Sequence, residues 1–583
     1  MMFGVSTTLL ILLGGLAQTR VPASPEIPKP AKSQPVEASP TRPELRGEVA
    51  KRVAALEKQV EDLRKAGLAG EDRTAQDAAL AEAIRLAEQV LAIRLEHQGP
   101  DSPSGSQWTD AKGEPAEWYE IGDARRSIDA LRLLASLTRG QRAELSHAEE
   151  LDVEERQLYK EGKYADAAEL RQAQIEIHRR VLGAKHPDVA AGISNLAYLL
   201  SAKGDYAAAE PLLREALAMR RASLGDAHPH VAMTMDTLAG LLQAKGDYAA
   251  AEPLFRESLE MFRSLLGDAH PFLATSINNL ALLLHDKGDY AAAERLYREA
   301  LAMNRKLLGD SHKEVATSLN NLAALLLMKG DYAAAEPLFR EALAMSRKLL
   351  GNEHPDVANS LNNLATLLEN QGDYAAAEPL HREALALYRK LFGDAHPSVA
   401  TSLNNLAELL RSKGDYAAAE PLFRNALAMR RKFLGDAHPL VAMSVNNLAL
   451  LLQDMGDYAA AEPLYREALA LSRELLGDAH PDVARNLSSV ASLLWAKGDY
   501  AAAEPLLREA LAIQRSVHGN VHPDVAASLN GLAALLQRKG DSDAAEPLFR
   551  NALAMRRKLL GEAHPDVATS LNNSAALRCA KGD

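Results

Sequence analysis

The sequence has one cysteine among 583 residues, Cys579, so no disulfide can form within the chain. Acidic residues outnumber basic ones, 78 to 66, which gives a net charge of −12. Nucleic acid is therefore not expected as a partner, because phosphate binding needs a basic face. The motifs G-x-x-x-x-G-K-[ST], G-x-S-x-G and H-E-x-x-H are all missing. We predict no enzyme activity, no catalytic residues and no cofactor.

The N-terminal apolar run, Val5 to Leu16, is too short for a bilayer, which needs about 20 apolar residues. With the small residues up to Ala17 it predicts a signal peptide over residues 1–17, although no Lys or Arg precedes it. A cleaved signal implies an extracytoplasmic protein, periplasmic or secreted. The alternatives are a weak membrane tether through the N-terminus only, or a misassigned start and a cytoplasmic protein.

Two further segments precede the regular part of the chain. Residues 18–44 are rich in proline, which prevents helical hydrogen bonding, and form a predicted extended linker. Residues 45–143 are a predicted N-terminal helical segment. Its apolar residues recur every three or four positions from Val49 to Leu63, again over about 75–96, and again over 117–140. A Gly-, Ser- and Pro-rich loop carrying Trp108 separates the second and third stretches.

From residue 144 to 583 a block of 42 residues recurs about ten times, with the last copy incomplete. One histidine of the block repeats without a slip in spacing, at His186, His228, His270, His312, His354, His396, His438, His480, His522 and His564. A fixed period of this length is typical of a solenoid, in which each unit buries its apolar face against its neighbours. Disorder is excluded for this part because 47% of the chain is hydrophobic.

The unit from His354 to Ala395 predicts two helices. Pro355 suits the first turn of a helix, whose apolar stripe is Leu361, Leu364, Ala365 and Leu368. Gly372 ends that helix, Asp373 caps a second one from Tyr374 to about Leu391, and Gly393 ends it. The expected stripe of the second helix is Tyr374, Ala377, Leu380, Ala384 and Leu387. Pairs such as Glu378–Arg382 are interpreted as a solvated face.

These positions resemble the tetratricopeptide repeat family: Leu361, Leu364, Ala365, Leu368, Gly372, Tyr374, Ala377 and Ala384 follow its order. The phrases HPDVA, SLNNLA and GDYAAAEPL are similar to its kinesin-light-chain and nephrocystin-3 branch, which many bacterial proteins share. The resemblance covers roughly 144–583 and implies an all-α fold, a right-handed superhelix of helix-turn-helix repeats. It also implies that the first helices line the concave surface. His381 departs from the usual aromatic residue or leucine.

Opposite the buried stripe of the first helix stands an asparagine that repeats in most units. An amide both donates and accepts, so it can pair with the backbone of an extended peptide. The resemblance implies that this face looks inward, which predicts a peptide-binding groove. The alternative is that these amides link adjacent helices. The predicted peptide-binding residues are Asn279, Asn321, Asn363, Asn405 and Asn447, with Asn320, Asn362 and Asn404 beside them.

No metal is expected at the ten repeated histidines. Zinc ligands lie about 2.0–2.1 Å from the ion, whereas packed helices are about 8–10 Å apart, so equivalent residues of successive units are too far apart. The His-Pro pair is interpreted as a loop device. In the last unit, Ser574 and Arg578 replace apolar residues and suit an end cap, or else the gene is truncated.

The sequence thus predicts a non-enzymatic scaffold that binds a protein or an extended peptide in its groove. Two alternatives remain: a purely structural or self-assembling solenoid, and the sensor half of a larger signalling protein. The identity of the partner and the oligomeric state are not predicted.

Overall fold

The computed structural model describes residues 47–69, 72–98 and 119–581. The predicted signal, the linker and the loop around Trp108 lie outside these residues. Three helices occupy the N-terminal segment: α1 (Gly47–Leu68), α2 (Arg73–Gln98) and α3 (Tyr119–Ser136). The next helix, α4 (Arg139–Lys160), crosses the predicted boundary at residue 144 and is the first helix of the first repeated pair.

The remaining helices alternate between the two kinds predicted for each unit. The first helices, with α4, are α6 (Pro187–Ala202), α8 (Pro229–Ala244), α10 (Pro271–Asp286), α12 (Lys313–Met328), α14 (Pro355–Asn370), α16 (Pro397–Ser412), α18 (Pro439–Asp454), α20 (Pro481–Ala496), α22 (Pro523–Arg538) and α24 (Pro565–Lys581). The second helices are α5 (Tyr164–Val181), α7 (Tyr206–Leu224), α9 (Tyr248–Leu266), α11 (Tyr290–Leu308), α13 (Tyr332–Leu350), α15 (Tyr374–Phe392), α17 (Tyr416–Leu434), α19 (Tyr458–Leu476), α21 (Tyr500–His518) and α23 (Ser542–Leu560).

Local signals in the sequence set the helix ends. Asp373 accepts a hydrogen bond from the Ala376 backbone N–H at the start of α15, and Gly393, with φ of 79°, follows its end. His354 caps α14, since its Nδ1 accepts from the Asp356 N–H at 3.1 Å. The His-Pro pair is therefore a helix cap followed by proline at the first helical position. Proline inside the second helices, as at Pro379, leaves them continuous.

The first helices form the more deeply buried layer. In α14 the predicted stripe of Leu361, Leu364, Ala365 and Leu368 is buried, and so are Ala377, Ala384 and Leu387 of α15. Tyr374 and Leu380 are only partly buried and pack on the rim of that core. One apolar cluster runs without a break from Ala197 to Leu493, as expected where each unit packs only on its neighbours. Among the described residues, every helix is too short or too polar to span a bilayer.

Salt bridges repeat along the outside and join neighbouring units. Glu378 pairs with Arg382 at 2.8 Å within α15, as the sequence suggests, but it also meets Lys413 of the next unit at 2.5 Å. The same lysine-to-glutamate link recurs at Lys245–Glu210, Lys287–Glu252, Lys329–Glu294, Lys497–Glu462 and Lys539–Glu504. Exposed pairs of this kind stabilise a fold only slightly, so the apolar core dominates.

The units from α4 to α15 form the first turn of the superhelix, and the second turn, from α16 onward, contacts it. The His396 Nε2 lies 3.0 Å from the Lys160 carbonyl oxygen, 236 residues earlier in the chain. The same contact recurs as His438–Ala202, His480–Ala244 and His522–Asp286, at 3.2 to 3.3 Å. The start of each first helix in the second turn thus rests on the end of a first helix six units before it.

Each of these histidines uses both ring nitrogens. In His438 the Nδ1 accepts the Leu440 N–H at 2.9 Å, so the ring proton is on Nε2 and is donated to the Ala202 carbonyl oxygen. The neutral ring therefore caps its own helix and ties it to the preceding turn. Burial lowers the pKa of His438 to about 4, which keeps the ring neutral.

Glycine makes this close approach possible. Gly204 has φ of 82°, a left-handed conformation, and a Cβ there would lie 2.7 Å from the Pro439 Cδ. Gly162 and Gly246 meet Pro397 and Pro481 in the same way. A Cβ built at Gly414, in the second turn, has no atom of another residue within 4 Å.

Candidate binding surface

The eight predicted asparagines lie along the first helices, where adjacent helices meet. Asn279, Asn320 and Asn363 are partly exposed, whereas the other five are buried: Asn321, Asn362, Asn404, Asn405 and Asn447. The exposed fraction of Asn447 is only 1%. A buried amide cannot meet a ligand unless its neighbours move. Peptide contact therefore stays a prediction, and in this structure only the first three are open to it.

Several of these amides link neighbouring units through hydrogen bonds. The Asn320 Nδ2 donates to the Ser360 Oγ at 3.4 Å, and the Asn362 Nδ2 donates to the Ser402 Oγ at 3.3 Å. The Asn447 Nδ2 donates to the Asn404 Oδ1 at 3.2 Å. These bonds fit the alternative interpretation of the sequence, in which the asparagines link adjacent helices.

Two residues that depart from the repeat take part in these hydrogen bonds between helices. His381 is fully buried, and its Nδ1 lies 3.0 Å from the Asn362 Oδ1. Asp236 takes the place of an asparagine, and the Asn279 Nδ2 lies 3.5 Å from its Oδ2. Burial raises the pKa of Asp236 to about 7. Each substitution is thus matched by a polar partner of the adjoining helix.

A cleft opens on this surface between α12 and α14. Its lining includes Lys313, Thr317, Asn320, Asn321 and Ser346, with Leu349, Asp356, Asn359, Ser360 and Asn363 completing the walls. It therefore holds three of the predicted asparagines. The Asn320 Oδ1 is buried without a hydrogen-bond partner, and Leu349 exposes 39% of its surface. An acceptor, a donor amide and an apolar side chain thus lie next to each other.

The residue at position 346 explains why the cleft is open. Two units later the equivalent residue is Arg430, which is 2% exposed and fills the corresponding space. Its Nη1 donates to the Leu440 carbonyl oxygen at 3.2 Å and to the Ser444 Oγ at 2.6 Å, and its Nη2 donates to the Thr401 Oγ1 at 3.4 Å. Those three residues are equivalent to Asp356, Ser360 and Thr317 of the cleft.

Other large residues fill the same space elsewhere. Tyr388 donates its hydroxyl to the Asn359 Oδ1, and Arg220 donates to the His230 carbonyl oxygen at 3.0 Å. Sequence reasoning missed this cleft, although signals of it are present. Position 346 is variable among the units, and Lys313 is the one residue that replaces the proline after the repeated histidine.

Acidic and basic groups cluster farther along the same first helices. The Arg411 guanidinium lies 3.1 Å from a Glu408 oxygen and 2.7 Å from an Asp454 oxygen. The Ser412 Oγ donates to Glu369 at 3.0 Å, and burial raises the pKa of Glu369 to about 7. These groups pair with one another between units, although the Glu408 Oε1 is buried without a hydrogen-bond partner, and we interpret the cluster as structural.

Helix pairs that pack on one another in chain order define an α-solenoid of helix-turn-helix repeats. Tetratricopeptide repeat models match the chain in overlapping segments from 156 to 583: 156–222, 189–264, 230–306, 273–348, 314–390, 356–432, 398–453, 440–516 and 524–583. The chain belongs to the tetratricopeptide repeat family. Arrays of this family are generally non-catalytic and commonly mediate protein interactions.

Solved structures with similar repeats include BtubC (BKLC) from P. vanneervenii, at 27% identity and a TM-score of 0.33, over 40% of this chain and 92% of that one. A putative kinesin light chain of Podosopora anserina with nearly identical TPR-like repeats matches at 27% identity and a TM-score of 0.30, over 35% and 97%. A Rap protein complexed with Competence and Sporulation Factor matches at 17% identity and a TM-score of 0.44, over 64% and 99%. No curated protein matches the sequence.

Proposed function

We propose that the protein is a non-enzymatic scaffold that binds an extended segment of a partner protein in the cleft around Ser346. The observation that carries this proposal is the space at Ser346, which Arg430 and Tyr388 fill in neighbouring units. Ser346 leaves polar groups of α12 and α14 lining an open cleft. The serine at the equivalent position 472 is instead packed against Asn486, whose Nδ2 donates to its Oγ at 2.7 Å. Selection for stability alone favours filling such a space, since tight packing stabilises a repeat.

The chemistry of the cleft suits a peptide backbone with an apolar side chain. Asn320 and Asn363 offer amide donors and acceptors, and the Asn320 Oδ1 has an acceptor position to fill. Leu349 offers an apolar contact at the rim. Lys313 and Asp356 carry opposite charges, so the cleft does not favour a strongly charged ligand of either sign. An extended segment with one apolar anchor therefore fits best.

The test is Ser346→Arg, which places in the cleft the residue that Arg430 supplies two units later. The new guanidinium would find the same kinds of partner, the Thr317 and Ser360 hydroxyls and the Asp356 carbonyl oxygen, so the fold should be kept. A phage-displayed library of random peptides is selected on the wild-type chain. Peptides that depend on the cleft should lose at least tenfold in affinity for Ser346→Arg.

Ser516→Arg is the control, because it adds the same side chain at an exposed serine outside the cleft. Equal circular dichroism and melting temperature of Ser346→Arg and wild type establish that the fold is intact. If no peptide is selected, or if the selected peptides bind Ser346→Arg as well as wild type, the cleft is not the binding site.

A structural solenoid without a groove ligand is the second candidate, and the hydrogen bonds among the asparagines favour it. Replacing Asn321, Asn363 and Asn405 by alanine tests it. Lower melting temperature with unchanged peptide capture would support the structural role, and the reverse would support binding.

An exported location stays a prediction, which the N-terminal sequence of the mature protein from its native cells would test.

A further inference from the structure

One unit carries an unusual histidine next to the repeated one. His518 is the last residue of α21, four residues before His522, in the sequence HGNVHPD. The other units place an apolar side chain at this position, for example Leu434, Leu476 and Leu560. The spacing argument against metal binding compares histidines of different units, and it does not apply to two histidines of the same loop.

The environment of His518 is unfavourable for an imidazole that has no ligand. Only 3% of its side chain is exposed, and both ring nitrogens are buried without a hydrogen-bond partner. Buried polar atoms normally find a partner, so two such atoms on one ring indicate a missing ligand. The ring packs on Tyr248 of the first turn, with the ring centroids 5.5 Å apart.

A carboxylate lies beside both histidines. The Asp524 Oδ2 is 3.8 Å from the His518 Nε2 and 3.7 Å from the His522 Nδ1. One ligand atom from each of the three residues can be chosen so that all lie within 4.8 Å of one another. Asp524 keeps 28% of its side chain exposed, which leaves a path from solvent.

We propose that His518, His522 and Asp524 bind a divalent transition-metal ion of the zinc type at the contact between the two superhelical turns. Two imidazole nitrogens and one carboxylate oxygen are a donor set that suits Zn²⁺, Ni²⁺, Cu²⁺ or Co²⁺, whereas Mg²⁺ and Ca²⁺ prefer oxygen ligands alone. Water completes the coordination. Because His522 also faces the Asp286 carbonyl oxygen at 3.2 Å, the ion would bind beside the contact that joins the turns.

Binding requires a small local movement. The two imidazole rings are stacked, with centroids 3.8 Å apart and 8° between their planes, so their in-plane lone pairs do not converge on one point. The His518 ring must turn about its Cβ–Cγ bond toward Asp524, against its packing on the Tyr248 and His522 rings. His522 has a bond on each nitrogen, to the Asp524 N–H and to the Asp286 carbonyl oxygen, and must give up one of them.

The experiment titrates the untagged full chain with ZnCl₂ by calorimetry and with CoCl₂ by visible absorption. His518→Leu and Asp524→Ser are the test variants, since other units carry leucine or serine at these positions, as at Leu476 and Ser398. His147→Ala removes an exposed histidine and is the control. Wild type and His147→Ala should bind one ion, and both test variants should bind at least tenfold more weakly.

Melting temperature gives an independent readout. Without metal, His518→Leu should melt at or above wild type, because it removes two unpartnered ring nitrogens. Added Zn²⁺ should raise the melting temperature of wild type and not that of His518→Leu. The proposal is wrong if wild type binds no ion, or if His518→Leu and Asp524→Ser bind Zn²⁺ as tightly as wild type, since other histidines would then hold it.

Discussion

His354 in the first turn and His438 in the second turn occupy the same position of the repeat and cap their helices in the same way. His354 keeps 38% of its side chain exposed. His438 is 5% exposed, because its other nitrogen meets the Ala202 carbonyl oxygen of the first turn. The same local sequence therefore has one structural role at His354 and two at His438.

The comparison extends to glycine. Gly204 of the first turn and Gly414 of the second have nearly the same φ, 82° and 81°, but only Gly204 lies against a proline of another turn. A repeat protein is usually described by the stability of each unit and its contacts with its neighbours. Here a third kind of contact, between units six apart, distinguishes units that are otherwise alike.

The largest expected effect comes from placing side chains in the contact between turns. The triple variant Gly162→Ala, Gly204→Ala and Gly246→Ala adds a Cβ that would lie 2.6 to 2.8 Å from a proline Cδ at each site. We expect an extra cost of about 1–3 kcal/mol per site, or separation of the turns to relieve it. Small-angle scattering should then show a larger radius of gyration than for wild type.

The control is Gly414→Ala, Gly456→Ala and Gly498→Ala, where φ is equally positive and no atom lies within 4 Å. Strain from the left-handed conformation is about 1–2 kcal/mol per residue in both sets and cancels in the comparison. Equal melting temperatures and equal radii of gyration for the two triple variants would contradict a contact between turns.

A smaller effect is expected for His438→Asn. Asparagine is a good helix cap, so it keeps the bond to the backbone of α18 but cannot reach the Ala202 carbonyl oxygen. The loss should be about 1 kcal/mol, the usual net value of one hydrogen bond. His354→Asn, in the first turn, should change the melting temperature by much less. A similar loss for both variants would mean that the histidines act only as caps.

The pH dependence of that loss provides a further test. The pKa of His438 is about 4 in the folded chain, because burial lowers it, and about 6.5 in an unfolded chain. The unfolded state therefore binds more protons between these values, and the contribution of His438 to stability is complete above pH 6.5 and falls as the pH drops toward 4.

Among the charged groups near His438, Arg430 disfavours the protonated ring further. The advantage of wild type over His438→Asn in unfolding free energy should therefore shrink below pH 6.5 and change sign before pH 4.5, because one pKa unit corresponds to about 1.4 kcal/mol. The difference between the two proteins is the quantity to measure. Asp236 and Glu369, whose pKa values are raised, make the folded state more stable as the pH falls, and they do so equally in wild type and in the variant. A difference that is constant with pH would show that the His438 ring does not titrate against this contact.

The helices could be predicted from the sequence because local signals determine them. The predicted second helix from Tyr374 to about Leu391 ends in the structure at Phe392, since Asp373 and Gly393 act within one or two residues of themselves. The contact between His438 and Ala202 could not be predicted in this way. It depends on the small rotation between successive units, which adds up over six of them and leaves no mark in a single unit.

The cleft could be predicted from the sequence only in part. Lys313 and Ser346 are visible as departures from the repeat, but whether a side chain at position 346 fills the space depends on where α12 and α14 lie relative to α13. The asparagines show the same limit. Their period predicts one face of a helix, whereas the distance to the next helix decides that Asn447 is buried and Asn363 is not.

The smallest expected effect is on the salt bridges between adjacent units, which should contribute equally to stability in the two turns. Lys287 in the first turn pairs with Glu252, and Lys497 in the second pairs with Glu462 at 2.6 Å, with similar exposure of the two lysines, 32% and 39%. Both pairs join adjacent units, so Lys287→Ala and Lys497→Ala should each cost only about 0.2–1 kcal/mol, and by the same amount. Chemical denaturation in low salt measures both. A clearly larger loss for Lys497→Ala would mean that the second turn changes contacts between neighbours as well, and that the two kinds of contact are not independent.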